Sequence, residues 1–584
     1  MALLGAEDYG EANNVLIHML PIIENSPDEG MRRTYLRYYP GPMYQQCFTG
    51  VRESYAIAAI DIDIHEIFNL CPLVLIDVAT GRLCDARERV RIFKSETPFL
   101  TLVSETGIMK IDRSHIRQSV AKYFKWIMFS HTWEGNEPTL KDVNLVDSVW
   151  KLDNSPLNEK LRQFCETARG DGYRWAWSDT CCIDKGTSTV LSKSLISMYS
   201  WYEEAAATLV YLADVLSSSE LGDLAKSRWM TRAWAFQELL ASKVIRFYDR
   251  EWNLYLNDMH TNHKESPAIK QELAHAMGVA PETITSFRPE VLGVREKLRL
   301  ASTRNATEEE DIAYSLIGIF SSDIVPCYGL GKTALGQLLE DIIARSGDVT
   351  VIAWTGKSLL YNSALPDSLA VYSQIPYSPP PMEVNELDTR MEQLRTRLAL
   401  QDAIALYSQV VQLPRATFSN RCLQHPCIVF SVTEIGVQEL GGSQGTLFRA
   451  GISLLGRVEF RTADAMPLTE PWKLVFVHPW LRDIHDPVDG FVSDDEREAG
   501  SGNGIDDASA PVSPLHTEPS ARVNTSTQAL RLIARLGRPF NALLLEQQSG
   551  DQYKRVAAEH EIIVPGVPSQ TNPKNVQVKV LEIV

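Results

Sequence analysis

KWIMFSHTW, residues 125–133, opens on KWIMFS (125–130), a short apolar run ending in polar residues that reads as a buried β-strand. The same texture returns three times downstream, in YRWAWSDTCCID (173–184), ATLVYLAD (207–214) and KVIRFYD (243–249). Helical spacing fills the gaps. LNEKLRQFCETARG (157–170) has it and ends on Gly170, a residue type that suits the position just past a helix. SKSLISMYSWYEEAA (192–206) sets Leu195, Met198, Tyr199, Tyr202 and Ala206 on one face, and WMTRAWAFQELLAS (229–242) makes a third helix. The β-α-β-α-β-α-β order predicts an α/β fold, a parallel sheet with helices on both sides. Ligand sites in such sheets form at the carboxyl ends of the strands. Three polar clusters fall there: Ser130-His131, Asp179 through Asp184, and Asp214.

Nine of the 12 tryptophans lie between residues 123 and 252, which marks that window as one aromatic core. PLVLIDVATGRLCDARERVRIF (72–93) reads as a hairpin turning at Thr80-Gly81, so the domain is taken as 71–255, behind a peripheral arm at 1–70. Residues 256–373 read as mainly helical: EEEDIAYSLIGIF opens on acids, which suits a helix N-terminus, and ALGQLLEDIIARS (334–346) is amphipathic, followed by the apolar strand VTVIAW. A proline-rich linker is expected at 374–390, a helix from 391 and a β-rich module to 482 (CIVFSV, LFRAGISL, KLVFVHPW). Residues 483–523, rich in Asp, Ser, Gly and Pro, read as a disordered acidic linker. Strands at 540–547 and 576–584, within 524–584, are expected to complete the β-rich module.

The chain has 584 residues, enough for two to four domains, and at 44% hydrophobic it can bury real cores. Its net charge is −17, from 57 Lys plus Arg against 74 Asp plus Glu. Between Asp483 and Asp507 nine acids face one base, so that stretch alone carries −8 and leaves −9 for the remainder. The balance argues against a nucleic-acid partner and against docking on anionic membranes. No stretch approaches the ~18 apolar residues of a membrane span, and the first residues lack a secretory pattern, so a cytoplasmic protein is expected. The nine scattered cysteines read as reduced thiols. Cys422, His425 and Cys427 have no second ligand pair at finger spacing, so no metal site is assigned.

FSHTW (129–133), WSDTCCIDK (177–185), SLISMYSWYEEAAATLVYLADV (194–215) and SRWMTRAWAFQELLAS (227–242) together resemble the fungal heterokaryon-incompatibility (HET) domain family. The family's four motifs occur here in order over roughly 120 residues, and the likeness extends to LIDVATGRL upstream and to EEEDIAYSLIGIF and LLEDIIARSGDVTVIAW downstream. The resemblance implies a role in non-self recognition, with activation of the domain triggering programmed cell death. HET domains are in turn distantly similar to Toll/interleukin-1-receptor (TIR) domains, which are flavodoxin-like and some of which hydrolyse NAD. The implied fold is therefore a TIR-like, flavodoxin-like parallel-sheet HET domain, followed by a helical region and a C-terminal β-rich module. Trp234 and Glu238 match the TIR W-x-x-x-E spacing, and Cys182 through Gly186 stand where its acidic loop begins.

The residues also carry a reading of their own. In a helix Trp234 and Glu238 are i and i+4, and no Lys or Arg sits three or four positions from Glu238. A carboxylate beside an indole and without a local cation is desolvated and has a raised pKa. Glu238 is the expected catalytic residue if NAD is cleaved; the alternative is a packed Glu paired with Arg228 or Arg232. Ser130, Trp133, Asp179, Asp184 and Trp234 are the expected substrate-binding residues, with plain alternatives: a helix cap for Ser130, core for Trp133, and turns or caps for the two Asp. No cofactor is expected, NAD entering as a substrate. Cys181-Cys182 lacks a neighbouring base and is not taken as a nucleophile. Gly329-Leu330-Gly331-Lys332-Thr333 is not a P-loop, since Pro326 stands where its first glycine belongs. Two functions follow: an effector hydrolysing NAD, or a non-enzymatic module that self-associates through the HET domain. In both, an unidentified partner protein binds the C-terminal module.

Overall fold

Strands β1 (Val74–Asp77) and β2 (Arg82–Asp85) form an antiparallel hairpin, and four parallel strands follow. These are β3 (Trp126–His131), β4 (Trp175–Ser178), β5 (Ala207–Tyr211) and β6 (Ile245–Tyr248). The sheet runs β2-β1-β4-β3-β5-β6. Counted in chain order, the parallel strands lie 2-1-3-4, the flavodoxin-like order, and the order reverses at β3. Every residue of β3 and β4 is buried, as expected where helices cover both faces. This computed structural model describes residues 42–108, 113–289, 291–380, 382–439, 446–462, 466, 468–479 and 520–584.

Helix α1 (Pro42–Asn69) packs with α2 (Ala86–Ser95), α3 (Thr97–Ile108) and α4 (Arg113–Phe124). Their shared core includes Ile60, Ile64, Phe93, Phe99, Val120 and Phe124. Helix α5 (Pro156–Gly170) begins with Pro156 behind the cap Ser155, whose side chain accepts the Asn158 N–H. Its Phe164 stacks on Phe129 of β3 at 4.5 Å. Helix α6 (Ser188–Glu204) brings Trp201 and Tyr202 against Trp177 of β4. Helix α7 (Ala233–Ala241) is buried at eight of its nine residues, so it carries no solvent face of its own. The outer edge of β6 is closed by side chains: Asn262 accepts the Ile245 N–H, and His263 accepts the Phe247 N–H through Nδ1.

The chain divides into two compact units, Met1–Arg288 and Pro289–Val584. The second contains α8 (Thr333–Ser346), α9 (Val384–Arg397) and α10 (Leu400–Val411). Its strands are β7 (Thr417–Ser419), the 18-residue β8 (Cys422–Glu439), β9 (Thr446–Ile452), β10 (Gly456–Arg461) and β11 (Leu474–Pro479). Helix α11 (Ser520–Leu536) leads into β12 (Phe540–Gln547), β13 (Gln552–Val556), β14 (Ile562–Val564) and β15 (Gln577–Ile583). Strands β8, β11, β12, β13 and β15 pair in a closed ring, because β15 returns to β8. Past a bulge at Val432/Glu434, β8 leaves the ring and pairs β9.

Several expectations are corrected locally. The second strand of the hairpin stops at Asp85, whose carboxylate accepts the Glu88 N–H and caps α2. The left-handed residue after α5 is Gly172 (φ 81°), not Gly170, which is still helical. VTVIAW holds a 3₁₀ turn, Val349–Ile352, started by Asp348 accepting the Thr350 N–H. The helix expected from 391 begins at Val384, inside the expected linker, and breaks after Arg397. Residues 520–523 of the expected disordered stretch belong to α11, while 483–519 lie outside the described residues, as do 1–41 of the expected arm.

The GLGKT segment has a definite use. Gly329 (φ 97°) and Gly331 (φ 54°) turn their N–H groups onto the Glu310 carboxylate at 2.7 and 2.9 Å, and Lys332 pairs with Asp367. The amide nest therefore holds an internal carboxylate rather than presenting itself for a phosphate. These N–H groups hold the Glu310 carboxyl below its usual range.

Two tests follow from this geometry. Glu310→Gln should lower stability by about 1–2 kcal/mol in urea melts at neutral pH, the scale of hydrogen bonds to a charged group. Because the folded pKa is depressed, that difference is present above about pH 4.3 and shrinks as the pH falls through the folded value. Gly81 (φ 74°) lies against Ser148 and Trp150 where a Cβ would collide with both. Gly81→Ala should therefore cost about 1–3 kcal/mol, read in the same melts.

Candidate functional site

Alternation along β3 sends Ser130 and His131 to opposite faces of the sheet at its carboxyl end. On one face the Ser130 hydroxyl donates to Glu238 Oε2 of α7 and accepts the Trp229 indole N–H at 2.7 Å. Glu238 is 3% exposed. Burial pushes its pKa up; the Arg232 guanidinium and the Ser130 hydrogen bond oppose the rise, and Asp179 adds to it. The Tyr202 hydroxyl is pushed up too, by burial first and then by Glu238. The far end of α7 is tied down as well. Ser242 donates to the Glu238 carbonyl at 2.6 Å, and the buried Lys264 Nζ donates to the Ser242 carbonyl at 2.5 Å.

On the other face His131 Nε2 meets Glu137 Oε2 at 2.7 Å, and Lys160 Nζ donates to Glu137 Oε1 at 2.5 Å. All three side chains are buried. Burial acts to raise the Glu137 pKa, yet the hydrogen bonds and charges of His131 and Lys160 hold it down to about 2. Arg232 crosses the strand end and donates to the His131 carbonyl, while Arg228 pairs with Glu134 at 3.0 Å.

The expected site residues divide. Ser130 and Glu238 are in direct contact, and Asp179 lies close enough to act on the Glu238 charge. Trp133 is not core: it is 48% exposed, donates its N–H to Asp179 Oδ2 at 2.8 Å and carries Lys185 Nζ 3.5 Å from its ring centre. The other oxygen of Asp179 is buried without a hydrogen-bond partner among the described residues. Asp184 is a turn residue that accepts from the Gly186 N–H and the Thr187 hydroxyl. It lines a different groove, with Arg82, Asp85 and Asp147. Trp234 is half-buried one turn before Glu238, and the indole hydrogen-bonded into the cluster is Trp229 instead. Sequence reasoning missed Trp229, Glu137 and Lys160. Trp229 stood in the quoted SRWMTRAW motif, but nothing local marks Glu137 or Lys160 as partners of His131.

The Cys181 and Cys182 thiols beside this cluster are buried. Cys181 is held well above the ordinary thiol range by its hydrogen bond with Cys182 and by burial. Cys427 is buried and Cys422 half-buried, and among the described residues no group of three His, Cys, Asp or Glu could hold a metal ion.

Residues 126–223 match the family model described as Heterokaryon incompatibility protein (HET). That segment is therefore similar to the HET family. Over 228 residues the chain is 33% identical to Vegetative incompatibility protein HET-E-1 of Podospora anserina, a match covering 37% of this chain and 16% of that protein. No solved structure matches. The family match takes in Ser130, Trp133, Asp179, Asp184 and Tyr202 and stops short of Trp229 and Glu238. Among the described residues no helix is long and apolar enough to cross a membrane.

The two faces of strand β3 predict unequal costs. Glu137→Ala strands a buried lysine and should cost about 3–5 kcal/mol. Ser130→Ala leaves the Trp229 N–H and Glu238 one partner short and should cost about 1–3 kcal/mol. Denaturant unfolding of both variants checks the order, and a cheaper Glu137→Ala contradicts the network described.

Proposed function

We propose that this chain is a HET-domain protein and an effector of programmed cell death in fungal heterokaryon incompatibility, and that its HET domain cleaves NAD with Glu238 as the catalytic carboxylate. The reading rests on Glu238 standing at the carboxyl end of the sheet, beside the strand where the order reverses, with Ser130, Tyr202 and Arg232 around it. The chemistry asks little. The bond from ribose to nicotinamide breaks with its electron pair going to the ring nitrogen, which neutralises a leaving group that was already cationic. A carboxylate near the ribose hydroxyls stabilises the oxocarbenium-like transition state, and water then adds to the ribose carbon and releases a proton.

Glu238 must be uncovered for this to happen. Self-association through the HET domain is the proposed trigger, with a partner protein acting on the C-terminal module.

A second reading is favoured by the 3% exposure of Glu238. A buried carboxyl accepting from a serine serves as packing, and the domain then signals by self-association without turnover.

Purified full chain, concentrated enough to oligomerise, is incubated with NAD beside Glu238→Gln and Glu238→Ala, and nicotinamide release is followed. Release by wild type alone is expected. No turnover, with killing of cells retained by both variants, sinks the enzymatic reading and leaves the signalling module.

A further inference from the structure

The opposite end of the same sheet carries a second cavity, of about 1050 Å³. It opens where all four parallel strands begin: Lys125 precedes β3, Arg174 precedes β4, Ala205-Ala206 precede β5 and Lys243-Val244 precede β6. Helices α3 and α4 supply the remaining wall through Pro98, Leu102 and Tyr123, among others. The volume is that of a small-molecule site, and the walls are largely apolar.

Its charges are lopsided. Of the two lining carboxylates, Asp171 pairs with Arg246, and Glu105 lies 3.4 Å from the His115 imidazole. Arg174 is likewise spent on Asp77 and Glu96. Three lysines remain on the rim. Lys122 is exposed, Lys125 donates, among the described residues, to a backbone carbonyl, that of Glu204, at 3.2 Å, and Lys243 has a loose, solvent-facing pair with the Glu204 carboxylate at 3.3 Å. An exposed pair of that kind is weak and open to exchange for a better anion.

We propose that this cavity binds an amphipathic anion, its apolar body against Leu102, Tyr123 and Val244 and its single carboxylate or phosphate head on Lys122, Lys125 and Lys243. Ammonium groups suit either head as point charges. The site is independent of Glu238, which lies at the other end of the strands, and of any chemistry there.

Isothermal titration of the full chain with laurate, dodecyl phosphate and dodecanol, each below its micelle concentration, tests this. One or both anions should bind at least about 10-fold more tightly than dodecanol. The head that binds identifies the physiological class. Lys122→Glu/Lys243→Gln should weaken the anions about 10-fold or more and leave dodecanol unchanged. Ala206→Phe, which fills the cavity, should weaken all three. Thermal melts establish that both variants are folded. Absence of anion binding by wild type at about 1 mM, equal affinity for dodecanol, or anion binding unchanged in both folded variants overturns the proposal.

Discussion

Strand β3 ends in two polar residues at a place that helices on both faces keep dry. A buried hydroxyl or imidazole must find partners, so Ser130 and His131 each dictate what stands opposite them. Ser130 draws in the Trp229 indole and the Glu238 carboxyl, and His131 draws in Glu137 and, through it, Lys160. These contacts tie β3 to α5 on one face and to α7 on the other. The carboxyl end of the sheet takes its shape from that requirement.

The same requirement leaves the two glutamates in opposite states. Glu137 sits between an imidazole and an ammonium and stays ionised down to low pH. Glu238 accepts from the Ser130 hydroxyl and has the Arg232 guanidinium nearby, which burial outweighs, so its carboxyl is held above the usual range.

Much of the α/β unit was legible because its strands are apolar runs and its helices carry 3.6-residue spacing. Errors came where one side chain outweighs propensity. ARERVRIF was read on from the strand, but Asp85 caps it into a helix. VTVIAW looks like a strand by its β-branched residues, yet Asp348 starts a 3₁₀ turn there. Spacing around Glu238 correctly excluded a cation three or four residues away. It could not exclude Arg232, which sits just before α7 and reaches the cluster while bonded to the His131 carbonyl. Asp184 and Trp133 show the converse: each lies at a strand end by sequence, yet Asp184 turns into its own loop and Trp133 toward solvent.

The amino-acid sequence by itself determined the alternation of strands and helices, the resemblance to HET domains and the confinement of nearly half the net charge to Asp483–Asp507. Those are properties of neighbours along the chain, set by periodicity and composition. Only the tertiary structure decided that Trp229 rather than Trp234 bonds into the cluster, that Glu238 is closed off, that Glu310 fills the GLGKT nest and that three lysines rim a cavity where the strands begin. Each depends on contacts between segments distant in sequence, or on which way a backbone turns. Burial and charge at such points arise from folding and have no counterpart in local spacing.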